Sequence, residues 1–146
     1  MSKRLTVLNA VKAMIETALP GVEVLGLIGD DADPSTVPPG GRVIIMSGDP
    51  GDPEIDLSPL TYNYDHAIPI AVTGYATDDE DIETAVDRMM SAIGASIEQD
   101  RTLGGLCSWL EPTAPTTEYD AIDGAEVPKD ADLMIIASYS TSNPLT

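Results

Sequence analysis

Two loop segments rich in acidic residues offer the side chains that could most readily do chemistry. One contains Asp30, Asp31 and Asp33, and the other contains Asp49, Asp52, Glu54 and Asp56. Carboxylate oxygens are the ligands that Ca²⁺ prefers. The spacing matches no EF-hand loop, because prolines lie between the acids and no loop-ending Glu is in register. We interpret both segments as solvated loops and expect no metal and no cofactor.

Nucleophilic catalysis would have to use His66, the only histidine, with Cys107, the only cysteine, or with a serine. No Gly-x-Ser-x-Gly elbow is present, and His66 falls in the apolar register of a predicted strand, where a packed imidazole is the usual occupant. The phosphate-binding patterns Gly-x-Gly-x-x-Gly and Gly-x-x-x-x-Gly-Lys-Ser/Thr are absent as well. We therefore expect a protein that is not an enzyme.

Length and charge narrow the possible classes of protein. The chain has 146 residues, the size of one domain, and we predict a single domain over 1–146. Seven basic against 25 acidic residues give a net charge of −18, which argues against specific binding of nucleic acid. A lone cysteine cannot form an intrachain disulfide, which favours a reducing compartment. No apolar run approaches the roughly 18 residues that span a bilayer, so we expect no membrane association.

The first half of the chain predicts one helix and two strands. Leu5, Leu8, Val11, Ile15 and Ala18 or Leu19 recur at helical spacing, with Lys3, Arg4, Lys12 and Glu16 on the polar face, and Pro20-Gly21 ends the helix. Residues 22–28 and 42–46 are rich in aliphatic residues and bounded by Gly and Pro, which predicts neighbouring strands. We expect the long connections 29–41 and 48–59 to be irregular and to contact partners.

A third strand is predicted from Tyr62 to Thr73, where apolar and polar residues alternate. Pro69 lies in this run and has no N–H to donate. The strand should therefore lie at a sheet edge or have a bulge at that point. An edge would let a neighbouring subunit add backbone hydrogen bonds.

The second half predicts another helix and two more strands. Thr77 and Glu80 have the spacing of a capping box, and an apolar stripe from Ile82 to Ile97 follows, ending before Gly104-Gly105. Residues 106–110 and 131–141 predict strands, with a turn at Asp123-Gly124 between them. The chain is thus predicted to be α+β, with a mostly antiparallel or mixed sheet of about five strands and two main helices packed on one face.

The pattern as a whole resembles the tail terminator, or tail completion, proteins of long-tailed bacteriophages. An N-terminal amphipathic helix ends at Leu19-Pro20-Gly21-Val22, and a Pro/Asp loop leads to a strand ending at Ser47-Gly48-Asp49. The second helix leads into Asp100-Arg101-Thr102-Leu103-Gly104-Gly105-Leu106, and the last strand carries Ala137-Ser138-Tyr139-Ser140-Thr141. The Asp100 to Leu106 stretch is the most specific part.

This resemblance implies a homo-oligomeric ring, commonly hexameric, at the head-proximal end of the tail in the virion, assembled in the host cytoplasm. Its partners would be the tail tube protein and a head completion or connector protein, and genomic DNA would pass through the lumen without specific binding. A ring that covers the tube end without regenerating the same surface stops polymerisation. No catalytic group or cofactor is needed.

Candidate interface residues follow from the loops, the proline-containing strand and the isolated basic residues. They are Asp30, Asp31, Asp33, Arg42, Asp49, Asp52, Asp56, Pro69, Arg101 and Leu103. Arg42 and Arg101 could form ion pairs across subunits, although an intrachain pair is the default. The two acidic loops and the segment Asp78 to Glu83 could face the lumen and repel DNA phosphates. The alternatives are another phage neck component or a small Ca²⁺-binding module.

Overall fold

The computed structural model describes residues 1–27, 40–117 and 129–146. Within them lie two α-helices and seven strands, so the α+β class is confirmed and the predicted count of about five strands is too low. The helices are α1 (Lys3–Ala18) and α2 (Ile82–Gln99). The strands are β1 (Glu23–Leu25), β2 (Arg42–Ile45), β3 (Glu54–Leu57), β4 (Leu60–Gly74), β5 (Trp109–Pro112), β6 (Thr116–Thr117) and β7 (Lys129–Thr141).

The long antiparallel pair of β4 and β7 forms the centre of a mixed sheet, with register from Tyr62 opposite Thr141 to Gly74 opposite Lys129. On the other side of β4, β2 pairs with its C-terminal half and β3 with its N-terminal end, both antiparallel. β1 pairs parallel to β2, as neighbours in the predicted manner. β5 and β6 pair with β7 on its other side. One ribbon therefore carries short strands along both of its edges.

Both helices lie on one face of this sheet, and the core is almost entirely aliphatic. The predicted alternation in β4 and β7 is confirmed, since Ile68, Ile70 and Val72 are buried from one strand and Ile135 and Ala137 from the other. The helices contribute a second set of buried side chains, listed as Val7, Leu8, Val11, Ile15, Val86, Met89, Ile93 and Ile97. No helix in the described ranges is long and apolar enough to cross a membrane.

The start of α2 lies four residues later than the capping box suggested. Asp81 is the N-cap, and its carboxylate accepts a hydrogen bond from Thr84 N at 2.8 Å. The backbone groups of Thr77 and Glu80 instead bond reciprocally to each other in a turn before the helix. Both candidate caps have acceptor side chains, so the spacing alone selected the wrong one.

The buried stripe of α1 also differs from the prediction. Leu5 is only partly buried and Val7 takes its place, while Lys12, assigned to the polar face, is buried. Its Nζ donates to the carbonyl oxygen of Gly26 at 3.1 Å. The long lysine side chain thus reaches the end of β1, where the carbonyl compensates for lost hydration of the ammonium group.

Pro69 does not lie at a sheet edge, because β4 is paired on both sides. Its carbonyl accepts from Met46 N, immediately after β2 ends. Ile45 pairs with Ile70 and Asp49 bridges to Ala67, so residues 46–48 lie opposite only residues 68 and 69. The segment after β2 therefore has an irregular backbone opposite Pro69. The missing N–H of Pro69 is tolerated there, in agreement with the predicted bulge.

Further differences concern short elements. Residues 54–57 form β3 although the segment 48–59 was expected to be irregular, and β6 was not predicted. The strand predicted over 106–110 begins only at Trp109, after a 3₁₀ turn at Leu103–Gly105. The turn predicted at Asp123-Gly124 lies outside the described residues.

Candidate interaction surfaces

The hairpin of β3 and β4 continues the sheet beyond the region that the helices cover. Ile55 lies opposite Tyr62 and Leu57 opposite Leu60, on the same face as the buried residues of β4. Ile55, Leu57 and Leu60 are nevertheless 50%, 82% and 47% exposed. We call these three residues with Tyr62 the hairpin apolar face. It has the composition of core without a helix packed on it.

The opposite face of the same hairpin is polar and internally bonded. Asn63 Nδ2 donates to the Asp56 carboxylate at 3.0 Å and to the Glu54 carbonyl at 3.1 Å. Ser140 Oγ donates to Asn63 Oδ1, and Ser138 Oγ donates to Asp65 Oδ1. Polar and apolar residues alternate along β3, so one side of the hairpin is suited to water and the other to a protein partner.

The sheet face opposite the helices has a shallow groove of about 400 Å³. Met46 after β2, Pro69 in β4 and Met134 in β7 form its apolar floor, and Asp132 lies at its rim. Met46 and Met134 are nearly half exposed. We call this surface the open-face groove, since both helices in the described part of the chain pack on the other side. Methionine side chains adapt readily to a partner's shape.

Beside this groove lies a cluster that the sequence did not predict. The Arg101 guanidinium stacks over the Trp109 ring, with its Cζ 4.5 Å from the ring centroid, and donates to the Leu110 carbonyl at 2.8 Å. Glu111 accepts from Arg101 at 3.1 Å and from Trp109 Nε1 at 2.8 Å. Cation–π and charge-assisted contacts therefore fix Arg101 within its own chain. Arg101 is positioned by β5, as the default intrachain reading expected.

The Asp100 to Leu106 stretch, which carries the most specific part of the resemblance, is a tightly bonded loop. Asp100 accepts from the Thr102 hydroxyl at 3.0 Å and from Gly104 N at 2.8 Å, and these bonds lower the pKa of its carboxyl group. Leu103 adopts φ of 50° and packs partly against the core. The positive φ of Leu103 costs backbone energy that the surrounding bonds offset.

Arg42 is buried rather than presented to a partner. Its guanidinium donates to Glu23 Oε2 from both Nε, at 3.1 Å, and Nη2, at 3.0 Å. The two residues are register partners in β2 and β1. Arg42 was predicted as an interface residue, and its side chain has almost no exposed surface in the described chain.

The acidic interface candidates do not converge on one site. Asp49 accepts from Gly51 N, Asp52 is exposed, and Asp56 bonds to Asn63 in the hairpin. Asp30, Asp31 and Asp33 lie outside the described residues. Among the residues that are described, no group of three or more His, Cys, Asp or Glu side chains could hold a metal ion.

His66 is wholly buried and satisfied at both ring nitrogens. Nε2 lies 2.6 Å from the Ser47 carbonyl and Nδ1 3.0 Å from Tyr139 Oη. A carbonyl can only accept, so Nε2 carries the proton and Nδ1 accepts from the tyrosine hydroxyl. Burial lowers the pKa of the imidazole below its usual 6.5. The imidazole therefore links β4, β7 and the segment after β2 through hydrogen bonds.

Two basic residues at the start of α1 stand apart from the other described cations. Lys12, Arg42, Arg88 and Arg101 all bond to carbonyl or carboxylate oxygens. Lys3 and Arg4 form no side-chain hydrogen bond or ion pair with any described residue. Arg4 lines a 160 Å³ pocket with Tyr64, which follows Tyr62 on the same face of β4.

No family model matches this chain, and no curated protein is significantly similar to it in sequence.

Neither apolar surface was predicted as such, although the segment 48–59, which contains β3, was expected to contact partners. The alternation Glu54, Ile55, Asp56, Leu57 is a strand signal, but the surrounding Asp-Pro pairs concealed it. Met46 and Met134 gave no signal, because a groove arises only when β2 and β7 are placed on either side of β4.

Proposed function

We propose that this protein is a structural component of a phage virion, a tail terminator that forms a ring on the head-proximal end of the tail tube. In this role it stops tube polymerisation and supplies the surface to which the head is joined. The tail tube protein and a head completion or connector protein are its partners, and it carries out no catalysis.

The observation that carries the proposal is the hairpin apolar face. A lone chain gains nothing by exposing Ile55, Leu57 and Leu60 on a strand pair that extends past its helices. Exposed apolar surface rimmed by polar residues is typical of protein–protein contacts. A ring-forming protein needs such surfaces, and the open-face groove offers a second one on the other side of the sheet.

The charge of the chain also supports this role. DNA that passes through a ring during ejection must not adhere to its wall, and a net charge of −18 repels phosphate. Asp78 and Asp79 are exposed before α2, and Asp52 is exposed before β3, so these described carboxylates are available to face a lumen.

The experiment is to mix the purified protein with preassembled tail tubes of its own phage and to image the products by electron microscopy. We expect additional density at one tube end only and no further growth when tube protein is added. Binding to the portal side of filled heads, with tubes left bare, would instead indicate a head completion protein. Binding to neither would contradict both neck assignments.

A calcium-binding module would behave differently. Ligand binding to the folded state raises the melting temperature in proportion to the logarithm of ligand concentration. We expect no such rise when Ca²⁺ is added to protein freed of metal by chelation. A concentration-dependent rise would favour the calcium alternative over the ring.

A further inference from the structure

We propose that neighbouring copies of this chain join head to tail, with the hairpin apolar face of one copy seated in the open-face groove of the next. The inference rests on the proposed ring and specifies which surfaces of the chain form its subunit contact. The occupant of the groove is thus a second copy of the same chain.

The first argument is that one chain carries both halves of an apolar contact, on opposite faces of its sheet. Ile55, Leu57 and Leu60 share the face on which the helices pack, whereas Met46 and Met134 belong to the other face. A patch that fits a different patch on the same molecule produces a heterologous contact. Such contacts close into rings when the rotation between copies permits it.

The second argument is charge complementarity. Arg4 lies beside Tyr64, on the same face of β4 as the hairpin apolar face, and its side chain has no acidic partner among the described residues, although the chain carries 25 acids. Asp132 lines the groove, and its carboxylate forms no hydrogen bond or ion pair with the described residues. Seating the hairpin in the groove brings these opposite charges to the same boundary, which steers and orients the contact.

An isologous contact between two hairpins is disfavoured by the same residues. Pairing two copies through their hairpin apolar faces would bring Arg4 of one copy towards Arg4 of the other. Like charges at an interface are repulsive. Both open-face grooves would also remain uncovered, so half of the exposed apolar surface would stay in water.

The shapes of the hairpin and of the open-face groove fit a head-to-tail contact. The tip of the β3–β4 hairpin, residues 56–61, extends past the end of β7 as two strands, whereas the groove is a shallow depression that crosses β4 and β7. A pocket of about 400 Å³ is large enough for two or three aliphatic side chains and is floored by flexible methionines. Leu57, the most exposed of the three hairpin residues, is the best candidate for the side chain that enters it.

The test is disulfide cross-linking between chains that each carry one new cysteine, in a Cys107→Ala background. Chains with Leu57→Cys are mixed with chains carrying Met134→Cys, under mild oxidation, alone and with tail tubes present. A disulfide requires Cα atoms within roughly 7 Å, so it reports direct proximity. Ala95→Cys, at an exposed position of α2, replaces Met134→Cys as the matched control.

We expect covalent dimers from the Leu57→Cys and Met134→Cys mixture and none from the control mixture. Dimers of Leu57→Cys chains with each other would overturn the head-to-tail arrangement in favour of an isologous one. An absence of 57–134 dimers both in free solution and on tubes would overturn the proposal altogether.

A charge exchange provides the second test. Arg4→Glu or Asp132→Arg alone should weaken self-association about fivefold, measured by sedimentation velocity, and the two together should restore it. Equal weakening in the double variant would exclude pairing between these charges. Both substitutions are at exposed positions, so we expect folding to be preserved, and circular dichroism checks this.

The cross-link and the tube experiment fail independently. Tubes capped by protein that never forms the 57–134 link would leave the terminator proposal standing and remove this contact. Conversely, a 57–134 link in protein that ignores tubes and heads would establish the contact and refute the terminator role.

Discussion

The two halves of β4 follow the same alternation of residues but have different surroundings. From His66 to Gly74 the even-numbered positions are buried beneath the helices, whereas Leu60 is largely exposed and Tyr62 and Tyr64 are half-buried on the same face. α1 begins at Lys3, and Ile55, Leu57 and Leu60 of the hairpin are exposed. The same pattern therefore stabilises one chain in one half of the strand, and in the other half it leaves an apolar surface exposed.

Shortening a side chain in each half is the strongest test of this comparison. Ile68→Ala removes fully buried atoms and should lower the free energy of unfolding by about 3 kcal/mol, since a cavity remains. Leu57→Ala should change it by less than about 0.5 kcal/mol. Urea unfolding followed by circular dichroism measures both. A loss of similar size at Leu57 would mean that the hairpin is part of the monomer's core.

Two of the arginine ion pairs extend the comparison to charged residues. Arg42→Met should cost about 2 kcal/mol, because Arg42 is buried and makes two charge-assisted bonds to Glu23. Arg101→Met should cost less than about 1 kcal/mol, since its carboxylate partner Glu111 is well exposed. Chemical unfolding of both variants gives the order. An inverted order would contradict the burial assigned to β1 and β2.

The buried imidazole predicts a pH dependence in the covered half of β4. The folded pKa of His66 lies below 6.5, so the unfolded chain binds more protons and stability falls as the pH decreases below 6.5. The contribution is fully present above that value and is lost as the pH approaches the folded pKa. Its slope is at most about 1.4 kcal/mol per pH unit for one proton.

Unfolding free energies measured at several pH values between 7 and 5 test this expectation. This range includes the usual pKa of a histidine side chain, about 6.5. His66→Gln is the matched variant, because it removes the titrating group and leaves the carboxylates unchanged. We expect a flatter profile for His66→Gln over this range. Parallel profiles for the two proteins would show that His66 does not titrate differently on folding.

The smallest effect is expected at the start of α2. Asp81→Ala removes the acceptor for Thr84 N and should lower the melting temperature slightly, because one end of the helix loses its cap. Asp78→Ala, three residues earlier and outside the helix, should leave it unchanged. Scanning calorimetry compares the two. An equal effect of Asp78→Ala would mean that the loss comes from removing a carboxylate near the positive end of the helix dipole and not from losing the cap.

The fold class could be predicted because the local spacing of apolar residues identifies both helices and most of the sheet. Alternation located β4 and β7, and the three- and four-residue steps located α2 and most of the stripe of α1. Lys12 was assigned to solvent because its charge suggested exposure. The Lys12 ammonium group donates a hydrogen bond to the carbonyl of Gly26, and that contact depends on tertiary packing.

The candidate surfaces were harder to predict, for physical reasons that particular residues illustrate. Pro69 suggested an edge, but the missing N–H is accommodated by the segment after β2, which the sequence of β4 does not contain. Arg42 stood out as an isolated cation, yet its register partner in β1 turned out to be Glu23. Interfaces depend on which strands become neighbours, and this is not a local property.

The measurement that tests the account most directly is the length of tail tubes grown in the presence of wild-type protein, Leu57→Asp or Ala95→Asp. Both positions are exposed, so neither substitution should unfold the chain. The account predicts that wild type and Ala95→Asp arrest growth, while tubes continue to lengthen with Leu57→Asp because a buried, unpaired carboxylate opposes the subunit contact. Arrest by Leu57→Asp equal to that by wild type would contradict the account.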